Sequence, residues 1–189
     1  VPPGVLIALD SKSGSELWRN DEDIFATQLA VSEAHATLLM NYEALRHNFF
    51  ALPSETGGRL AGIDIETGKR RWDHAATYET RPLINDYTIF AQGGAWNLVT
   101  GEEVPFDFER SYGCGQISAS THLMLFRSAT LGYKDLSRSV GTENFGGIRP
   151  GCWINAIPAN GLVLVPDGSF KCQCSYQMRA WFALQPSDG

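Results

Sequence analysis

Long hydrophobic runs are missing from this 189-residue chain. The longest apolar stretches, such as 161–165 and 123–126, fall far short of the roughly 20 residues a membrane-spanning helix needs, so no membrane span is expected and the chain reads as soluble. A basic cluster able to neutralise phosphates is also missing. Lys and Arg number 15 against 21 Asp and Glu, for a formal net charge of −6, which argues against nucleic acid as a partner. Sustained i, i+3, i+4, i+7 apolar spacing is lacking, which disfavours a helical repeat. There is no Gly-x-Ser-x-Gly elbow, phosphate loop, Gly-x-Gly-x-x-Gly or His-Glu-x-x-His, so no common catalytic signature is present. Cys-x-x-Cys-His is absent as well, which excludes covalent haem. The first residue is Val1, without an apolar leader, so any signal peptide is expected to have been removed or never attached.

What is present is a repeat. The segment LIALDSKSGSELW at 6–18 aligns without gaps on LAGIDIETGKRRW at 60–72, matching Asp10 to Asp64, Gly14 to Gly68 and Trp18 to Trp72. A third copy at 93–106 has Asn97 in the Asp column, keeps Gly101, and carries Phe106 one position beyond the expected Trp. A fourth at 130–145 has Asp135, two inserted residues, then Gly141 and Phe145, and a fifth is cut short, with Gln185 in the Asp column and Gly189 in the Gly column. The Asp-column positions recur at a mean spacing of about 44 residues, the period of four-stranded propeller blades. Short β-rich runs lie between them, YTIFA at 87–91, THLMLFR at 121–127 and GLVLV at 161–165, broken by Gly, Asn, Asp and Pro.

The motif has a mechanical meaning. An Asp or Asn ending an apolar strand can accept turn N–H bonds, and a Gly four residues later permits a positive φ, so a hairpin is expected there. The aromatic four residues further on opens the outer strand and can lie on the neighbouring sheet as a dowel. For Asp10, Gly14, Trp18, Asp64, Gly68, Trp72, Asn97 and Gly101 this structural role is expected in place of a catalytic one.

The pattern Ala-x-Asp-x-x-x-Gly-x-x-x-Trp, with Thr67 before Gly68 and Thr100 before Gly101, resembles the PQQ-type β-propeller repeat. That repeat occurs in quinoprotein alcohol dehydrogenases and in the lipoprotein scaffold of the bacterial outer-membrane barrel-assembly machine. The stretch from 141 to 168, followed by CQCSYQ, is similar to the last blades of large bacterial PQQ-binding-like proteins. The resemblance implies an all-β fold of four-stranded antiparallel blades, about four to five of them. Residues 1–20 would supply two outer strands, then come blades at 28–74, 82–106 and 113–147, and a last one at 152–189 without its outer strand. Such a chain forms part of a larger ring or is closed by a second copy, as a homodimer. The expected role is a non-catalytic binding or scaffold segment of a larger secreted or periplasmic bacterial protein, recognising a protein or small-molecule ligand at its rims. A quinoprotein alcohol or sugar dehydrogenase fragment is the alternative.

The resemblance also frames the cofactor question. The dehydrogenases hold PQQ between a Trp floor and a disulfide of adjacent cysteines, with calcium bound by Glu, Asn and Asp. Here no two cysteines are adjacent, and although Trp153 and Asn155 are expected on an inner strand, the carboxylates find no match. No cofactor is expected, with PQQ and calcium as the alternative. The four cysteines suggest an oxidising compartment. Gly113–Cys114 and Gly151–Cys152 each open an innermost strand, with Cys172 and Cys174 in a later loop. Disulfides from Cys114 and Cys152 to Cys172 and Cys174, in either order, are expected, and a four-thiolate zinc site is the alternative. A candidate ligand loop runs from Asn144 to Cys152, where glycines free backbone N–H groups and Arg149 can pair an anion. The acidic residues 21–23 read as a solvated turn.

Overall fold

The computed structural model describes residues 4–26, 28–42, 58–138, 140–168, 176 and 178–187. Its elements are all strands: β1 (Gly4–Leu9), β2 (Glu16–Ile24), β3 (Gln28–Ser32), β4 (Thr37–Asn41), β5 (Arg59–Asp64), β6 (Arg70–Ala75), β7 (Leu83–Asn85), β8 (Thr88–Ala91), β9 (Gly94–Asn97), β10 (Glu103–Val104), β11 (Ser118–Ala119), β12 (Leu123–Ser128), β13 (Thr130–Asp135), β14 (Glu143–Asn144), β15 (Ile157–Ala159), β16 (Leu162–Val165) and β17 (Phe182–Leu184). Among the described residues they form five antiparallel sheets: β1-β2, β3-β4-β5-β6, β7-β8-β9-β10, β11-β12-β13-β14 and β15-β16-β17. Two compact units contain them, Val1–Phe106 and Asp107–Gly189.

In the first unit the β3–β6 sheet is buried on both faces, and the period of two shows how. Leu39 and Leu60 pack with Trp72, Tyr78, Ile89, Trp96 and Leu98 on one side. The neighbouring residues Met40, Ala61 and Ile63 pack with Leu6, Trp18 and Ile24 on the other. Alternate side chains of one strand thus serve two interfaces, which is why β4 and β5 read as nearly continuous apolar runs. In the second unit Leu125, Leu131, Ala156 and Val165 form the core, flanked by Tyr133, Ile148, Val163, Phe182 and Leu184.

The repeat sets the turns. Asp10 Oδ1 accepts from Lys12 N at 3.1 Å and Ser13 N at 2.7 Å, Asp64 Oδ1 from Glu66 N at 3.0 Å and Thr67 N at 2.8 Å, and Asn97 Oδ1 from Val99 N at 2.8 Å and Thr100 N at 3.0 Å. Gly14, Gly68 and Gly101 follow at φ of 71°, 71° and 76°, each donating its N–H to the carbonyl of the Asp or Asn. The dowels do more than lie flat. Trp18 Nε1 donates to Ile65 O at 2.8 Å and Trp72 Nε1 to Leu98 O at 2.9 Å, in each case the residue after the next turn's Asp or Asn.

Some expectations fail. Gly141 is not among the positive-φ glycines, and in this turn, with its two inserted residues, Asp135 Oδ1 accepts from Ser137 N at 2.9 Å and from the Ser137 hydroxyl at 2.6 Å. Phe145 lies on Tyr133 of its own sheet, 4.6 Å between ring centroids, instead of reaching a neighbour. Strand β2 runs on to Ile24, so residues 21–23 are not a free turn. Asp23 is held by Arg59 at 2.6 Å, which also pairs with Asp73, and by Arg70 at 3.6 Å. The guanidinium of Arg59 and that of Arg70 accordingly hold the Asp23 carboxyl below its ordinary range. Gly189 lies outside the described residues.

Candidate functional site

The sequence-selected residues of the second unit divide between two places. Asn144 is on β14, paired opposite Gly132, and its side chain is exposed. Arg149 is half-buried, its buried Nε has no hydrogen-bond partner among the described residues, and its carbonyl accepts from Met178 N at 3.1 Å. Trp153 and Asn155 are not on an inner strand, because β15 begins only at Ile157. Their segment instead makes a single parallel bridge, Gln116 to Ile154, to the loop ahead of β11.

That bridge builds a polar junction. Gly115 approaches so closely that a Cβ there would lie 2.4 Å from the Cys152 carbonyl oxygen. Asn155, 1% exposed, accepts from Arg127 N at 2.9 Å and donates to Gly151 O at 2.8 Å. Arg110 fans across the same loop: Nε to Arg127 O at 2.7 Å, Nη1 to Gly115 O at 3.2 Å and Nη2 to Cys114 O at 2.8 Å. Arg127, on β12, is fully buried and directs Nη1 at Cys152 Sγ, 3.1 Å away, with its guanidinium 5.7 Å from the Tyr112 ring centroid.

Arg110 and Arg127 are the residues the sequence reading missed. Arg127 left a signal, a charge at the inward position of the apolar strand LMLFRS, two residues beyond Leu125 on the same face. Arg110 left none, since nothing in a loop sequence marks an arginine that will clamp carbonyls. Of the four cysteines the described residues include two. Cys114 and Cys152 sit in loops four and five residues ahead of β11 and β15 instead of opening those strands, and Cys114 is a free thiol. Cys172 and Cys174, the expected disulfide or zinc partners, lie outside the described residues.

Both polar atoms of the Asn155 amide are committed to Arg127 N and Gly151 O, and Trp153 is 87% exposed. Among the described residues no group of three or more His, Cys, Asp or Glu is gathered to hold an ion. At the other end of β15 lies a mostly apolar groove of about 350 Å³, lined by Leu123, Phe145, Pro158, Leu162, Leu184 and Pro186.

Neither a protein-family model nor a curated relative matches the sequence. Solved structures do. BamB from Moraxella catarrhalis matches at a TM-score of 0.56 with 19% identity, over 88% of this chain and 51% of its own. The computationally designed Ika4 protein matches at 0.54 with 14% identity, over 84% of this chain and 89% of its own. The quinohemoprotein alcohol dehydrogenase ADHIIG from Pseudomonas putida matches at 0.47 with 14% identity, over 87% of this chain and 36% of its own. The chain spans about half the length of BamB. At such identities the likeness is one of fold: the chain is an all-β, BamB-type partial propeller. Among the described residues no helix is long and apolar enough to cross a membrane.

Proposed function

We propose that this chain is a non-catalytic binding or scaffold segment of a secreted or periplasmic bacterial propeller assembly, and that the free face of its first sheet takes a further blade. The observation that carries this reading is an uncovered turn. Gly68 and Gly101 are buried under the indoles of Trp18 and Trp72, whose ring atoms lie 2.5 and 2.6 Å from where a Cβ would be. Gly14, built identically, has nothing within 4 Å among the described residues. Two further features support the reading. Among the described residues strand β1 pairs only with β2, and while Leu6 packs inward, Val5, Ile7 and Leu9 on the opposite face are exposed. An open edge beside an apolar face is a surface natural sheets normally cover.

A second copy of the chain is the occupant we assign for the isolated protein, because the last sheet has three strands among the described residues, with β17 as a second edge. Head-to-tail contacts that close on two copies would cover both. Light scattering on a sizing column tests this. A species near twice 20.8 kDa is expected, and a monomer at all concentrations would overturn closure by a second copy. Adding PQQ with calcium is expected to leave the cofactor's absorbance unchanged. A shifted spectrum with dye reduction by an alcohol or sugar would overturn the non-catalytic reading.

A further inference from the structure

We propose that the second unit carries a binding groove for a small planar aromatic molecule of indole's size and chemistry, between β14 and the end of β17. The argument starts from the surface a dowel covers where one is in place. Trp18 packs in one cluster with Leu38 and Ile63, which pair across β4 and β5, and its Nε1 donates to Ile65 O at 2.8 Å. The fifth copy of the repeat presents the same surface. Gln185 stands in the Asp column, so Leu184 corresponds to Ile63 and Pro186 to Ile65, while Val163, paired with Leu184, corresponds to Leu38. All three line the mostly apolar groove of about 350 Å³.

The fourth copy does not send an aromatic onto this wall, and strand register shows why. Trp18 pairs opposite Ala8 and Trp72 opposite Gly62, so the residue eight beyond the Asp faces the residue two before it. The fourth copy keeps that pairing, with Glu143 opposite Tyr133 around Asp135. Its two inserted residues therefore carry the aromatic two positions along the strand, roughly 7 Å farther from the turn. Phe145 donates its N–H to Leu131 O at 2.9 Å, and its ring lies on Tyr133 at the groove's edge.

What remains has the character of a ligand site. Its volume is at the small end of the roughly 300–1,000 Å³ of small-molecule clefts, and it joins an apolar wall to a few polar groups, Ser120, Asn160 and Gln185. At its rim, a Cβ on Gly161 would meet nothing within 4 Å among the described residues. The strand position that delivers an indole in the other copies is already taken by β14, so the occupant enters as a free molecule. A planar aromatic gains by leaving water for this wall, and one N–H lets it bond the Pro186 carbonyl as Trp18 bonds that of Ile65. The inference does not rest on closure by a second copy.

The test is titration of the full-length chain with indole by calorimetry, with intermolecular NOEs locating the ring and light scattering on the same sample reporting its mass. A Kd below about 1 mM is expected, with NOEs to the methyls of Val163 and Leu184. 1-Methylindole, which lacks the N–H, should bind roughly fivefold more weakly. Phe145→Trp, which enlarges a side chain lining the groove, should weaken indole binding at least roughly tenfold; if it fails to fold, the NOEs on the unsubstituted protein carry the test. No binding at millimolar indole, NOEs to residues elsewhere, or unchanged affinity in a folded Phe145→Trp would overturn the site. Equal affinity for 1-methylindole would overturn the assignment of an indole-type ligand.

Discussion

At the scale of single residues, the same glycine does two jobs, and the three copies of the turn separate them. Gly14, Gly68 and Gly101 share a φ near 70°, where any L side chain is strained. Only Gly68 and Gly101 also lie under a tryptophan ring. Gly14→Ala should therefore cost only the left-handed penalty, about 1 kcal/mol. Gly68→Ala and Gly101→Ala should add an overpacking term, reaching about 3 kcal/mol each, and should also disturb the indole N–H bonds to Ile65 and Leu98. Urea unfolding followed by tryptophan fluorescence checks the order. Equal losses at all three positions would mean that the rings do not press on the turns. The glycine column was legible in the sequence because φ and spacing are local properties. The ring contact, a long-range one, was legible only as a dowel, and its hydrogen bond to the next turn's carbonyl was not legible at all. Arg110 was hidden for a similar reason: its meaning lies in carbonyls brought to it by a bridge between Gln116 and Ile154.

At the scale of the hairpin, Asp64 shows why the turn tolerates Asp and Asn alike yet responds to acid only with Asp. Its carboxyl is drawn from 3.8 down to about 2, first by the Arg71 guanidinium at 2.5 Å and then by the Thr67 hydroxyl and N–H. The folded state thus favours the ionised form. That contribution is complete above about pH 4 and is lost as pH falls toward 2. Asn97 makes the same turn with no charge, accepting Val99 N and Thr100 N. Asp64→Asn should therefore keep the hairpin, lose the Arg71 pair, and take up about one proton fewer on unfolding between pH 4 and 2. The pH dependence of the urea midpoint measures this. A variant with the parent's slope would place the acid sensitivity elsewhere, for instance at Asp10 or Asp135, whose carboxyls are also held down by their turn N–H and serine bonds. Strand positions were readable from the apolar runs because alternate residues face opposite sheets. The limits of β2 and β15 were not: an acidic run looked like a loop until Arg59 and Arg70 paired with it, and Trp153 and Asn155 looked like strand until the bridge claimed their backbone.

At the scale of the whole molecule, the repeat determines how many sheets there are and which of them are unfinished. Among the described residues a two-stranded first sheet and a three-stranded last sheet stand against three four-stranded ones. In the first sheet the unfinished face is specific, since β1 sends Leu6 into the core and turns Val5, Ile7 and Leu9 outward. Ile7 is 44% exposed, so Ile7→Lys should change the stability of a single copy by no more than about 0.5 kcal/mol. In an assembly that covers this face the same lysine would be buried without a partner, a far larger penalty. Light scattering should then show the mass falling from near twice 20.8 kDa to near 20.8 kDa, with the urea midpoint measured at high dilution unchanged. Leu17→Lys, at an exposed position of the neighbouring strand β2, would report how far the contact extends across the sheet. Persistence of the heavier species in Ile7→Lys would exclude the β1 face from the interface and leave the uncovered Gly14 turn without a function in self-association.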